Sequence, residues 1–116
     1  MSENKLLDLS FAFAVAIVNL IDGITAPKSS YMIDQLARAG TSVGANIHEA
    51  QYAQGTKDFI SKLEIALKEC NESEYWIELL HEVGNISKEE ADKIRKDCIE
   101  LRRMLVSSVT TLKSKL

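Results

Sequence analysis

The feature that most constrains this chain is a run of small residues set inside a helical apolar stripe. Ile33, Leu36, Gly40, Val43, Ile47, Ala50 and Gln54 recur at alternating intervals of three and four, as one face of an α-helix requires. Around them the residues are nearly all small: Ala37, Ala39, Gly40, Thr41, Ser42, Gly44 and Ala45. A glycine inside a helix costs about 1 kcal/mol relative to alanine. A helix that keeps Gly40 and Gly44 is one that a neighbour approaches closely on that side. The stretch therefore predicts tightly packed helices and by itself names no reaction.

Breakers are scarce elsewhere too. Pro27 is the single proline and there are five glycines in 116 residues, which favours long helices in one domain spanning residues 1–116. Cys70 and Cys98 are too few for a disulfide framework. Both fall on apolar stripes, where cysteine acts as a small apolar residue, and a reducing cytoplasm is expected. The apolar run from Phe11 to Val18, closely flanked by Asp8 and Asn19, falls far short of the roughly 20 residues that cross a bilayer. It also lacks the basic leader of a signal peptide. The triplet Asn71-Glu72-Ser73 matches a glycosylation acceptor but sits inside a predicted helix, and is set aside.

Four helices are predicted, over about 5–24, 30–54, 57–83 and 88–114. The first carries two adjacent stripes: Leu6, Ser10, Phe13, Ile17, Leu20, Ile24, and Leu7, Phe11, Ala14, Val18, Ile21. The second stripe needs cover that a four-helix monomer does not easily supply, so either this helix is central or it also lines a subunit interface, and a homo-oligomer is expected. Gly23 ends this helix and Pro27 prevents its continuation. Ser29 or Ser30 is expected to cap the second helix, Gly55 to stop it and Thr56 to cap the third. The third helix has the cleanest pattern, Phe59, Leu63, Ala66, Cys70, Ser73, Ile77 and Leu80, and stops at Gly84. Ser87-Lys88-Glu89-Glu90 is a capping box for the fourth, whose stripe is Ala91, Ile94, Cys98, Leu101, Leu105 and Leu112. Short connections make successive helices antiparallel neighbours, so the expected fold is an all-α, up-down-up-down four-helix bundle.

Chemistry is sparse by comparison. Glu78-Leu79-Leu80-His81 has the Glu-x-x-His spacing of di-iron bundles, which need two such motifs. The other histidine, His48, follows Ala45 at that spacing, so no metal is expected. Arg38, Asn46, Glu49, Lys62, Glu64, Lys68 and Glu72 form a charged set on the second and third helices. Lys68 is four residues from both Glu64 and Glu72, a spacing that predicts local ion pairs. No phosphate loop, nucleophile elbow or zinc-ligand cluster is present. No enzyme activity, cofactor or small-molecule substrate is expected. Trp76, beside Tyr75, is expected to pack rather than stack on a base.

Charge is distributed unevenly. The net charge is −6 over residues 1–87 and +3 over residues 88–116, giving −3 for the chain. The third helix is acidic (Glu64, Glu69, Glu72, Glu74, Glu78, Glu82) and the fourth basic (Lys93, Arg95, Lys96, Arg102, Arg103). Opposed faces of this kind suit subunit contact, a polyanion or plain solvation.

The residues Gln35-Leu36-Ala37-Arg38, Thr41 through Ala50, Lys57 through Glu69 and Glu72 to Tyr75-Trp76 carry a resemblance. They resemble the four helix bundle proteins, or 23S rRNA intervening-sequence proteins, a ribosomal-protein-like family first noticed as reading frames inside insertions in large-subunit ribosomal RNA genes. This chain has Ala39-Gly40 after Arg38 where many members carry Arg-Ser. The resemblance implies a bundle that assembles into a ring-like homopentamer, with no known enzymatic activity. More distant relatives are the accessory proteins of diversity-generating retroelements, which look like basic pentamers that bind RNA and a reverse transcriptase. The expected function is a non-enzymatic oligomeric scaffold associated with RNA; the alternative is a protein–protein interaction module. Expected oligomer or packing contacts are Phe11, Ala14, Val18, Gly40, Gly44 and Trp76. Expected RNA contacts are Lys93, Lys96, Arg102 and Arg103. No membrane association is expected.

Overall fold

The computed structural model describes residues 2–25 and 30–116, residues 2–4 through the backbone alone. Four α-helices, Ser2–Asp22 (α1), Ser30–Ala50 (α2), Thr56–Glu82 (α3) and Lys88–Lys113 (α4), form the regular structure, with no strand among the described residues. Each helix packs on two others: α1 on α2 and α4, and α3 on α2 and α4. Gly40 lies against Ile17 and Gly44 against Ser10. Arg38 likewise meets Glu69, Glu74 meets Arg95 and Glu64 meets Lys113. The chain measures 48 × 21 × 19 Å, its length set by α3 and α4.

The core lies along the stripes. Phe13, Ile17, Leu36, Val43, Ile47, Leu63, Ile77, Leu80, Leu101 and Leu105 are fully buried. Deleting one such side chain to alanine costs about 2–5 kcal/mol. Two serines are buried among them and stay satisfied by bonding back to their own helix. Ser10 Oγ donates to the Leu7 carbonyl oxygen (3.0 Å) and Ser73 Oγ to that of Glu69 (2.8 Å). Met32, Ile86 and Val109, outside the predicted stripes, are buried as well.

The small residues of α2 seat α1. A β-carbon on Gly40 would lie 2.8 Å from Ile17 Cγ1, and one on Gly44 3.3 Å from the Ser10 carbonyl oxygen. Glycine here lets two helices of one chain close on each other, so this contact supplies no argument for a subunit interface.

The connections differ from expectation in two places. The α2 helix ends at Ala50, and the amides of Gln51, Tyr52 and Ala53 bond to the carbonyls of His48, Glu49 and Ala50 at 3.0–3.1 Å. This tight 3₁₀-type turn satisfies the last carbonyls, so Gly55 is not the stop. Gly55 is extended, with φ 172° and ψ 177°, and is itself the residue before α3. Thr56 is the first helical residue rather than a cap. No side chain caps α3 in its place; the Asp58 carboxylate reaches back to accept the Gln54 amide at 3.2 Å. The Lys62 ammonium and this amide hold the Asp58 carboxyl below its ordinary range. At the end of α3, Gly84 takes φ 86°. Its amide bonds to the His81 carbonyl (3.0 Å) and that of Asn85 to Leu80 (2.9 Å), a Schellman stop. Ser87 and Glu90 close a capping box: Glu90 N–H donates to Ser87 Oγ (3.0 Å) and Ser87 N–H to Glu90 Oε1 (2.9 Å). Pro27 and the cap candidate Ser29 lie outside the described residues.

Candidate functional site

Among the described residues, an apolar stripe on α1 and a charged face on α4 stand out once the core is subtracted. On α1, Phe11 is 72% exposed and Val15 and Val18 are each 45% exposed. Ala14 is half-buried between them, and Leu7 and Ile21 pack against the core. Positions 11, 14, 15 and 18 fall on one side of a helix. Three large apolar side chains along one ridge are more than scattered exposure, because exposed apolar residues of a solitary protein are normally dispersed. Val15 was missed by spacing alone, since it belongs to neither stripe and lies along the edge of the second that faces away from the first. Trp76 is half-buried and packs against the core, its indole nitrogen buried without a hydrogen-bond partner. Tyr75 is exposed and meets Trp76 edge to face, with ring centroids 5.1 Å apart.

Part of the charged face of α4 is turned on α3. Arg95 pairs with Glu74 and with Glu78, each at 3.3 Å. Arg102 pairs with Glu74 and donates to Asn71 Oδ1 at 3.3 Å. Lys113 pairs with Glu64 at 2.6 Å. These pairs neutralise Glu64, Glu74 and Glu78 against Arg95, Arg102 and Lys113 and leave Lys93, Lys96 and Arg103 outside the seam. Burial alone would raise the Glu74 carboxyl. The hydrogen bond and charge of Arg102, then those of Arg95, outweigh it and hold Glu74 below the ordinary carboxylate range. The same bond pushes Arg102 up.

Of the four cations expected to meet RNA, the structure separates Arg102 from the rest. Lys93 and Lys96 are exposed and make no ion pair. Arg103 reaches only Glu100 on its own helix, and its side chain stays 72% exposed. Lys93, Lys96 and Arg103 lie within about 80° of one another around α4 at 100° per residue. Exposed Ile99 and Val106 flank them, and a shallow cleft of about 490 Å³ runs along Arg95, Lys96, Ile99 and Arg103. Asp92, Asp97 and Glu100 line it too.

Between α2 and α3, Arg38 binds Glu69, at 3.1 and 3.3 Å to its two oxygens, and also Glu72. Glu69 is nearly buried. Glu72 and Glu64 are therefore claimed by other helices. Lys68 makes no ion pair, contrary to its spacing; Lys62 pairs with Asp58 instead, at 2.9 Å.

A cleft of about 440 Å³ at one end of the bundle is lined by Leu6, Phe59, Leu63, Ser107, Thr111 and Lys115 among others, with no carboxylate or histidine in its wall. Glu78 of the Glu-x-x-His pair is committed to Arg95. Among the described residues no cluster of three His, Cys, Asp or Glu side chains suits a metal. Among them, too, no helix is long and apolar enough to cross a membrane.

A family model described as 23S rRNA-intervening sequence protein matches residues 2–107. A solved structure from Bacteroides thetaiotaomicron, described as a protein with unknown function from the S23 ribosomal protein family, is 46% identical to this chain. The match covers 95% of this chain and 99% of that one, with a TM-score of 0.90. Among curated proteins no match is found.

Proposed function

This chain belongs to the 23S rRNA-intervening sequence protein family, and from that premise we propose that it is a non-enzymatic scaffold that assembles with copies of itself and engages RNA. In this reading the chain is one domain, an antiparallel up-down-up-down bundle, working in the cytoplasm as the pentamer that the resemblance implies. The observation that carries the reading is the α1 ridge of Phe11, Val15 and Val18, apolar and left uncovered by the chain's own helices. A second copy covers it at the gain of roughly 25 cal/mol per Å² of apolar surface removed from water.

The RNA part rests on Lys93, Lys96 and Arg103, which point away from the bundle with no partner on another helix. Three cations are a modest patch on one chain. In a ring they recur in every subunit and make a band. Phosphate contacts of this kind give affinity that falls steeply with salt and little base preference. Arg102 leaves the expected contact set because Glu74 holds it.

The test is a titration of structured RNA against the assembled protein at low and moderate salt. The triple variant Lys93→Glu/Lys96→Glu/Arg103→Glu is run alongside. Salt-sensitive binding lost in the variant supports the reading. Absence of binding at low salt rejects the RNA part and leaves the protein-only module, a reading favoured by the ion pairs between α3 and α4.

A further inference from the structure

Cys70 and Cys98 face each other at the seam between α3 and α4, both fully buried. Their sulfurs are 3.4 Å apart. Each thiol also reaches the other residue's backbone carbonyl oxygen, at 3.2 Å from Cys70 Sγ and 3.1 Å from Cys98 Sγ. Both are free thiols.

We propose that Cys70 and Cys98 form a redox-sensitive site that a hydroperoxide closes into an intrachain disulfide, fastening α3 to α4. This goes beyond the scaffold reading and does not depend on RNA.

The contact needs about 1.4 Å of closure to reach the covalent S–S length, shared between two side chains that already touch. The surroundings select the attacking sulfur. A thiolate on Cys70 takes a hydrogen bond from Cys98 and lies near the Arg102 guanidinium, which together outweigh burial and lower its pKa. The same hydrogen bond, with burial, pushes Cys98 up. Glu74 and Arg102, the ion pair beside the sulfurs, each stand one helical turn along from a cysteine. Thiolate, not thiol, is the nucleophile.

In the first step Cys70 sulfur attacks one oxygen of hydrogen peroxide. An S–O bond forms, the O–O bond breaks, and the departing hydroxide takes a proton and leaves as water. In the second step Cys98 sulfur attacks the resulting sulfenic sulfur. The S–S bond forms, the S–O bond breaks, and the leaving hydroxide takes the Cys98 proton as a second water. Two thiols and one peroxide become one disulfide and two waters. The two sulfurs lose two electrons and the peroxide gains them. A thiol reductant reverses the change.

The test treats the full-length protein with hydrogen peroxide, then denatures it in an alkylating agent and measures its mass. The expected result is loss of two hydrogens, no alkylated cysteine, a Cys70–Cys98 linked peptide after proteolysis, and reversal by dithiothreitol. The oxidised protein is expected to melt higher by about 10–15 °C, because the crosslink closes a loop of some 28 residues. The Cys98→Ala variant is expected to show no loss of two hydrogens. The linked-peptide measurement on the parent protein stands whether or not that variant folds. Two alkylatable thiols surviving peroxide, or disulfides only between chains, overturn the proposal.

Discussion

Gly40 lies so close to Ile17 that a β-carbon added to it would meet three atoms of that side chain, at 2.8, 3.0 and 3.2 Å. Ile17 is fully buried, so it has no room to retreat. Gly40→Ala is expected to destabilise by about 1–2 kcal/mol, overpacking outweighing the gain in helix propensity. Ile17→Ala alone should cost about 2–5 kcal/mol. The double variant should cost less than the sum, because removing Ile17 removes the clash. Urea denaturation of the four proteins in this cycle measures the coupling, and strict additivity would sink the account.

Gly84 and Gly55 flank α3 and should respond oppositely. Gly84 holds φ 86°, so Gly84→Ala is expected to cost about 1–2 kcal/mol. Gly55 is extended and has nothing within 4 Å of where a β-carbon would stand. Gly55→Ser supplies the hydroxyl that α3 lacks at its start, and should stabilise by up to about 1 kcal/mol. Thermal melts of both variants check the contrast.

Glu74 predicts an acid weakness. Its folded-state pKa lies below the ordinary 4.5, so its contribution is fully present above that value. It is lost as pH falls through the folded pKa. Glu74→Gln should remove about 1–2 kcal/mol at pH 7, since Arg95 and Arg102 lose a shared partner. It should also flatten the decline below pH 4.5. Denaturation curves at neutral and acid pH, on both proteins, test the sign.

Phe11→Glu/Val18→Glu should separate the subunits without unfolding them. Both positions are exposed in the single chain. A carboxylate buried without a partner is costly, and assembly should weaken by at least about 100-fold, the equivalent of roughly 3 kcal/mol. Sedimentation equilibrium gives the mass, and circular dichroism shows whether the helices persist. A parent protein that sediments as a monomer at micromolar concentration would end this reading.

The helices were legible in the sequence because each has an apolar stripe and most have a signalled boundary. Ser87 and Glu90 fix the start of α4 through bonds three residues apart, a range that spacing captures. Gly55 misled because a glycine shows that unusual backbone is allowed, not that it is adopted. Arg102 misled for a different reason. Its partner Glu74 is 28 residues away, and only the packing of α3 on α4 shows that the two charges face each other. Lys68 had the right spacing for Glu64 and Glu72, but Lys113 and Arg38 reach those carboxylates from other helices. Local rules hold where contacts are local, and the interaction face depends on contacts that are not.

Leu6, near the start of α1, and Lys115, just past α4, line the same cleft. The two ends of the helical path therefore come together at one end of the bundle. A circular permutant joined there by a short flexible linker and opened between Gln51 and Gly55 would keep every helix-to-helix contact described above. Its order along the chain would become α3, α4, α1, α2. Such a protein should fold to the same bundle, because the architecture resides in which faces meet rather than in the order of the helices along the chain.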